Sequence, residues 1–139
     1  MSDTKQAAIL RPAERPTIDR GNGARTTPLV TRACGSTTVL NGITAFDPGA
    51  AIGLHQHDCE ESVMVLDGDA ICEIDGAQHR LSAGDTTWLP PGVPHRFLNA
   101  SDHAPMRIFW TYASVDCTRT LIATGETRRI DVEQRQGGS

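Results

Sequence analysis

Residues 37–112 alternate between short runs rich in Val, Ile, Thr and Leu and turn segments that contain Gly, Pro or Asp. Runs of this kind predict β-strands. We expect strands at 37–46, 62–66, 70–74, 77–81, 86–89, 95–99 and 106–112. No part of this region carries a helical period, and short strands at regular spacing are typical of sandwiches and barrels. The pattern therefore predicts an all-β fold.

One turn is specified closely by its residues. Asp75-Gly76 separates the predicted strands 70–74 and 77–81. Both residue types tolerate positive φ, which a type I′ turn requires at its two central positions. The dipeptide therefore predicts a tight hairpin between these two strands.

The two ends of the chain differ in character from its middle. Residues 1–30 contain Pro12, Pro16 and Pro28 and few bulky apolar residues, which predicts an extended or partly disordered arm. Residues 125–139 are charged and end in Gln-Gly-Gly-Ser, which is typical of a polar, frayed tail. A chain of 139 residues is expected to form one domain, so we place the barrel at residues 31–124.

Charge and composition exclude several classes of protein. The formal net charge of −4 gives no basic surface, so we expect no nucleic-acid partner. No apolar stretch reaches membrane-spanning length, and the first residues lack the apolar core of a signal peptide. The four cysteines form no CxxC pair, so we expect reduced thiols in a cytoplasmic protein, although an even number leaves disulfides open.

The candidate chemistry lies at His55, His57, Glu61 and His95. Residues two apart on a strand face the same side, so His55 and His57 can both point into a barrel. Glu61 shares its face with the apolar residues that alternate after it, whereas Glu60 points the other way. We therefore expect Glu61, and not its neighbour, to join the histidines.

Imidazole and carboxylate donors suit a divalent Fe, Mn, Co, Ni or Zn ion. Three His and one Glu leave two positions of an octahedral ion for water, oxygen or substrate, which is typical of a catalytic site. The alternative is that these histidines are ordinary polar strand residues. Buried imidazoles without partners are costly, and three of the five histidines lie at these positions, which favours a metal site. His79 and His103 lie outside the set and are expected at the surface.

The spacing of these residues extends into two longer motifs. The first is Gly49-x5-His55-x-His57-x3-Glu61-x6-Gly68, and the second is Gly84-x5-Pro90-x-Gly92-x2-His95-x3-Asn99. Both resemble the signature motifs of the cupin superfamily, and every fixed position of both is present. The resemblance covers about 37–112 and implies a small, single-domain cupin with a double-stranded β-helix, or jelly-roll, barrel. It implies little about the reaction, because one fold hosts many chemistries.

Three functions fit these residues and the resemblance. We expect a metal-dependent enzyme that acts on a small organic molecule, and first an Fe(II) or Mn(II) oxygenase whose substrate chelates the metal. A Lewis-acid lyase or isomerase would use the same site. A non-enzymatic small-molecule or metal-binding barrel, such as a sensor, comes third. Similar small cupins often form homodimers through an N-terminal strand, and residues 26–34 could supply that strand here.

The roles of several further residues stay open. Cys59 lies between two predicted ligands. A role as a small packing residue is a simpler interpretation than a role as a reactive thiol. Arg107 could bind a substrate carboxylate, and Tyr112, the one tyrosine, could donate a proton. Arg96 is next to a ligand and is expected to face outward. The aromatic residues are expected mainly in the core; they are Trp88, Phe97, Phe109, Trp110 and Tyr112.

Overall fold

A computed structural model describes residues 6–131 of the chain. Its strands are β1 (Ile18–Gly21), β2 (Ala24–Pro28), β3 (Leu40–Phe46), β4 (His55–His57), β5 (Glu61–Asp67), β6 (Ala70–Ile74), β7 (Ala77–Leu81), β8 (Thr86–Leu89), β9 (His95–Asn99), β10 (Met106–Tyr112), β11 (Thr118–Leu121) and β12 (Thr127–Arg129). Two short 3₁₀ helices, Pro12–Glu14 and Arg32–Cys34, lie on the N-terminal side of β3. Within these residues, no helix is long and apolar enough to cross a membrane.

The strands form two antiparallel sheets of six. The first has the order β1-β2-β3-β10-β5-β8, and the second has the order β12-β11-β4-β9-β6-β7. Side chains alternate strictly along β3, β5, β9 and β10, so that one face of each strand is buried. The buried faces of the two sheets share one core, which includes Phe46, Val63, Val65, Phe97 and Met106. The predicted all-β jelly-roll fold is therefore confirmed.

Most strand predictions agree with the structure. The predicted strands 70–74, 77–81, 86–89, 95–99 and 106–112 coincide with β6 to β10, and the other two differ only at their ends. Asp75 and Gly76 have φ of 51° and 89°, and Ile74 pairs with Ala77, as the predicted hairpin requires. Local turn chemistry therefore specified this part of the fold.

The N-terminal region carries a hairpin where we expected an extended or partly disordered arm. Strands β1 and β2 are joined at Asn22-Gly23, whose φ values are 54° and 83°. Strand β2 then pairs with β3, so the hairpin extends the first sheet. Asn-Gly is the favoured type I′ dipeptide, so the signal was present in the sequence. The surrounding prolines concealed it, because they lowered the expected strand content.

The C-terminal region also takes part in a sheet. Strand β12 pairs with β11, and Ile130 is buried in the core. Arg129 forms ion pairs with Asp116 and Asp131 on the surface. Residues 1–5 and 132–139 lie outside the described part of the chain, so the boundaries of arm, barrel and tail at 30/31 and 124/125 stay a prediction.

Gly42 allows a close approach within the first sheet. A Cβ at this position would lie 2.6 Å from the Trp110 ring and 2.7 Å from the carbonyl oxygen of Thr27. The indole of Trp110 therefore packs directly over the β3 backbone and donates a 2.8 Å hydrogen bond to Thr44 Oγ1. Thr44 is in turn 2.9 Å from Thr26 Oγ1. This buried chain of contacts fixes Trp110 on the inner face of the barrel.

Cys59 and Cys117 form a disulfide, with their Cα atoms 5.8 Å apart. Our expectation of four reduced thiols is wrong for this pair, and so is the interpretation of Cys59 as a simple packing residue. Among the described residues, Cys34 and Cys72 are free. The two bonded cysteines are separated by 58 positions in sequence, so no local spacing could indicate the pairing.

Candidate metal centre

The four predicted ligands come together between the two sheets. His55 and His57 lie on β4 and His95 lies on β9, all in the second sheet, whereas Glu61 begins β5 in the first sheet. His55 and His95 are direct cross-strand partners. All four side chains point inward, and the residues are between 2% and 5% exposed. The barrel therefore places one carboxylate opposite three imidazoles in a nearly dry interior.

Backbone carbonyl groups orient all three imidazoles. Nδ1 of His55 donates to the carbonyl of Gly53 at 2.7 Å, and Nδ1 of His95 donates to that of Val93 at 2.9 Å. Nδ1 of His57 donates to the carbonyl of Thr118 at 3.0 Å. With the Nδ1 hydrogen committed, a neutral imidazole presents a lone pair on Nε2. Metal-binding histidines are held in this way, with the ring fixed by the second nitrogen.

The Nε2 atoms of His57 and His95 lie beside the carboxylate of Glu61. Oε1 of Glu61 lies 3.0 Å from Nε2 of His95 and 3.4 Å from Nε2 of His57. Ligand nitrogens of His55, His57 and His95 all lie within 4.8 Å of one another. Two adjacent donors that each lie about 2.1 Å from one octahedral ion are about 3.0 Å apart, so the separations of Glu61 Oε1 from the two Nε2 atoms are close to those around a shared ion.

The site contains a polar atom whose hydrogen-bonding capacity is unused. Nε2 of His57 is buried and has no hydrogen-bond partner. Burial of such an atom is costly, because it has lost its water without gaining a partner. Lone pairs of neutral imidazoles would also repel the nearby oxygen of Glu61. A divalent cation at the common point of these groups removes both penalties, so the residues present fit a metal ion.

The electrostatics of the site follow from burial and close charges. Burial alone would raise the pKa of Glu61, but its close contacts with the imidazoles of His57 and His95 outweigh this effect and hold the pKa below its ordinary range. Burial, and then repulsion from the other two imidazoles, lowers the pKa of His55 well below its ordinary value. His55 is therefore neutral and Glu61 ionised at neutral pH, which are the protonation states that bind a metal ion.

Tyr112 is a further ionisable side chain beside the predicted ligands. Its ring centroid is 4.7 Å from that of His57 and 5.3 Å from that of Trp110. Burial, and then the negative charge of Glu61, raises the pKa of Tyr112 well above its ordinary value. Tyr112 is therefore a protonated phenol beside the predicted ligands.

Two cavities lie at this end of the barrel. The inner cavity, about 30 Å³, is bordered by ligand residues, Tyr112 and Trp110. This volume suffices for about one water molecule. An outer cavity of about 240 Å³ opens beside it, and Arg20, Ile52 and Arg119 line both. These three side chains therefore lie between the outer cavity and the predicted ligands.

The expected orientations of neighbouring residues are met in part. Glu60 faces outward, as predicted, and its Oε1 accepts a hydrogen bond of 2.8 Å from Nε1 of Trp88. Trp88 itself is 64% exposed, so its predicted place in the core is wrong. It lies on edge strand β8, opposite Ser62. Among the described residues, no strand of this sheet lies beyond β8, so the side chain of Trp88 is left uncovered on that side.

The structure places the remaining charged candidates away from the centre. Arg107 is on the outer face and forms an ion pair of 2.8 Å with Asp67. Arg96 faces outward, as expected, and pairs with Glu73. His79 is exposed, and so is His103, whose Nδ1 lies 3.0 Å from Asp102. Among the open candidates, Tyr112 is thus adjacent to the site and Arg107 is remote from it.

Sequence analysis missed two contributors from β11. Arg119 is 7% exposed and lines both cavities, and the carbonyl of Thr118 orients His57. The alternation of Cys117, Arg119 and Leu121 could have indicated that Arg119 faces inward with two apolar neighbours. No sequence signal identifies a carbonyl group as a hydrogen-bond acceptor for a histidine 61 positions away.

Comparison with known proteins gives one family and several similar folds. A family model described as "Cupin domain" matches residues 42–112. Protein SchB of Streptomyces halstedii is 30% identical over 106 residues, which are 76% of this chain and 77% of that protein. The HTH-type transcriptional regulator PuuR of Escherichia coli is 29% identical over 85 residues, 60% of this chain, but the match spans only 46% of the regulator.

Three solved structures illustrate the range of proteins with this fold. A sugar phosphate isomerase from Silicibacter pomeroyi has a TM-score of 0.69 at 20% identity, over 89% of this chain and 94% of that one. The polyketide cyclase RemF from Streptomyces resistomycificus has a TM-score of 0.72 at 14% identity, with coverages of 90% and 86%. A salicylate 1,2-dioxygenase from Pseudoaminobacter salicylatoxidans has a TM-score of 0.61 at 15% identity, with coverages of 69% and 26%. At these identities the likeness shows the fold alone.

Substitution of the predicted carboxylate ligand tests the metal site. Glu61→Gln keeps the shape of the side chain but removes its charge. Loss of an outer-shell partner costs up to about 100-fold in metal affinity, so for this predicted ligand we expect the affinity for Mn(II) to fall by about 100-fold. Glu60→Gln is the matched control, because Glu60 is exposed and faces outward. Chelator competition measures both affinities. Equal losses in the two variants would contradict the assignment of Glu61.

The lowered pKa of His55 predicts acid sensitivity of the metal-free protein. Below the ordinary histidine pKa of about 6.5 the unfolded chain takes up a proton at this position and the folded chain does not. Stability is therefore lost as pH falls from 7 to 5, by up to about 1.4 kcal/mol per pH unit. Urea unfolding in a chelator measures the slope. We expect a shallower slope in His55→Gln and an unchanged one in the exposed His79→Gln; equal slopes in all three would exclude His55 as the cause.

Proposed function

Because this chain belongs to the cupin family, we propose that it is a divalent-metal-dependent enzyme that acts on a small organic molecule. The observation that carries the proposal is the convergence of His55, His57, His95 and Glu61, with every Nδ1 committed to a carbonyl group. Such a set orients lone pairs toward one point before any ion arrives. A barrel that only bound apolar molecules would gain nothing from these buried polar side chains.

An oxygenase is the first candidate reaction, with Fe(II) or Mn(II) as the ion; Ni, Co and Zn fit the same donors. When bound, such an ion would join a chelating substrate to O2, or polarise a substrate oxygen. The protein residues orient the donors, keep Glu61 ionised and exclude bulk water from a cavity of about 30 Å³. Exclusion of water favours oxidation chemistry, because it protects reactive species from side reactions.

A Lewis-acid lyase or isomerase is the second candidate, and Tyr112 is the observation that favours it. A phenol that remains protonated beside the ligands can donate a proton to a substrate oxygen. Its ring is held against His57 and Trp110, so the hydroxyl has little freedom to leave the site. Proton transfer of this kind serves an isomerisation or elimination more directly than it serves oxygen chemistry.

A non-enzymatic sensor is the third candidate. The observation that favours it is the partial similarity to the transcriptional regulator PuuR, which this chain matches over less than half of the regulator's length. Small-molecule binding at the same centre would be retained in such a protein, and no turnover would follow. The absence of a nucleic-acid partner remains a prediction from the acidic composition.

We also propose that the protein is a homodimer and that it is located in the cytoplasm. The predicted N-terminal exchange strand lies at 26–34, and part of it, β2, pairs with β3 of its own chain. Exposed Met64 and Trp88, on the outer face of the first sheet, offer an alternative contact surface. In a reducing cytoplasm the Cys59–Cys117 disulfide would form transiently, as disulfides of redox-sensing proteins do.

Oxygen uptake distinguishes the first candidate from the others. Protein loaded anaerobically with Fe(II) is mixed with a diphenol, a β-diketone or a thiol, and O2 is followed with an electrode. We expect consumption with one of these classes, and none with Glu61→Gln treated in the same way. Metal and substrate binding without oxygen uptake for any class would overturn the oxygenase and leave the Lewis-acid and sensor candidates.

Replacement of Tyr112 distinguishes the second candidate. Tyr112→Phe keeps the ring contacts but removes the proton, so a Lewis-acid reaction should lose about 100-fold in kcat with little change in KM. Metal content, measured by elemental analysis, should be unchanged. Trp88→Phe is the control, because Trp88 is exposed on the outer face of the first sheet. An unchanged kcat in Tyr112→Phe would exclude the phenol as proton donor.

A further inference from the structure

The disulfide joins the two segments that hold His57 in place. Cys59 lies in the three-residue turn between β4 and β5, and therefore between His57 and Glu61. Cys117 directly precedes Thr118, whose carbonyl oxygen accepts the hydrogen bond from Nδ1 of His57. The covalent bond therefore connects the backbone that carries a predicted ligand to the backbone that orients it.

Weaker contacts run parallel to the disulfide. The backbone N–H of Thr118 donates to Oδ1 of Asp58 at 2.8 Å, and the N–H of Ala113 donates to the carbonyl of Glu60 at 3.1 Å. The Asp58 carboxylate is exposed to water, so its hydrogen bond contributes little on its own. Strands β4 and β11 are paired as well, with Arg119 opposite His57, so the disulfide adds a covalent tie to a backbone ladder that already joins the two segments.

The orientation of the His57 ring depends on contact between these two segments, whereas the orientation of the other two histidines does not. Nδ1 of His55 and of His95 bonds to a carbonyl group two residues earlier, within the same segment of chain. Nδ1 of His57 bonds to a carbonyl group 61 residues away. The orientation of His55 and His95 is therefore local, whereas that of His57 requires two distant segments to keep their distance.

We propose that the Cys59–Cys117 disulfide is a positioning element of the metal centre, and that its reduction weakens metal binding through His57. The proposal rests on the metal-dependent function proposed above. Loss of an outer-shell partner of a metal ligand typically costs 10- to 100-fold in metal affinity, and a loosened Thr118 carbonyl is a partial loss of this kind. We expect about a tenfold change.

The chemistry of the switch is a two-electron reduction. The S–S bond breaks, two electrons and two protons enter, and two thiols form, while a dithiol is oxidised to its own disulfide. Cys59 is only partly buried, whereas Cys117 is 1% exposed, so Cys59 is the more accessible of the two residues. Since coupling is reciprocal, metal binding should favour the disulfide over the dithiol by the same factor.

The test measures Mn(II) affinity in the two redox states. Mn(II) prefers oxygen and imidazole ligands over thiolates, so the new thiols do not compete for it. Free Mn(II) is counted by its electron paramagnetic resonance signal, before and after reduction with a phosphine, which takes up the oxygen of water as the disulfide is reduced. Cys34→Ser serves as the parent protein, because Cys34 is the partly exposed free thiol.

We expect the dissociation constant to rise about tenfold on reduction and to return on reoxidation. Cys59→Ser/Cys117→Ser should bind Mn(II) as the reduced protein does and should not respond to the phosphine. In a glutathione redox buffer, Mn(II) should shift the dithiol–disulfide equilibrium by the same factor. Thermal unfolding of the metal-free forms reports any loss of stability separately.

Equal Mn(II) affinity in both redox states, even with lower thermal stability after reduction, would show a structural bond only and overturn the proposal. In that case the metal centre itself would stand. Failure of the oxidised protein to bind Mn(II), Fe(II) or Zn(II) at all would instead overturn the proposed function, and this inference with it.

Discussion

The site depends on one constraint: three buried imidazoles have their Nδ1 hydrogens committed to carbonyl groups, and the Nε2 atoms of His57 and His95 lie 3.4 Å and 3.0 Å from one oxygen of Glu61. One of these atoms, Nε2 of His57, is buried without a hydrogen-bond partner, which is costly. The arrangement therefore fits a cation at the common point of these side chains. The pKa of Glu61 is lowered by the neighbouring imidazoles, so its carboxylate is ionised and carries the negative charge that a cation would bind.

The jelly roll meets this constraint with two kinds of contact. Short β4 presents two imidazoles on one face, and the three-residue turn that follows returns the chain to the opposite sheet at Glu61. Strand β9 adds His95 as the cross-strand partner of His55. Only His57 is oriented by a distant segment, and that segment is joined to the ligand turn by the disulfide. The metal affinity and the redox state of the protein are therefore coupled if the centre works as proposed.

Agreement between sequence and structure was best where neighbouring residues decide the outcome. Asp75-Gly76 specified its hairpin, and alternation placed Glu61 inside and Glu60 outside. Prediction failed where a long-range contact decides. Trp88 was expected in the core, but β8 is an edge strand and its outer face has no covering layer. The prolines near β1 and β2 suggested a loose arm, whereas pairing with β3 makes it a hairpin.

The sequence by itself determined the all-β fold, the position of most strands and the four side chains that meet at the centre, because period-two alternation and turn residues act over a few positions. Tertiary structure alone decided the Cys59–Cys117 bond and the carbonyl group that holds His57. Each of these requires segments about 60 residues apart to meet. That meeting is a property of how the two sheets pack, and no local pattern encodes it.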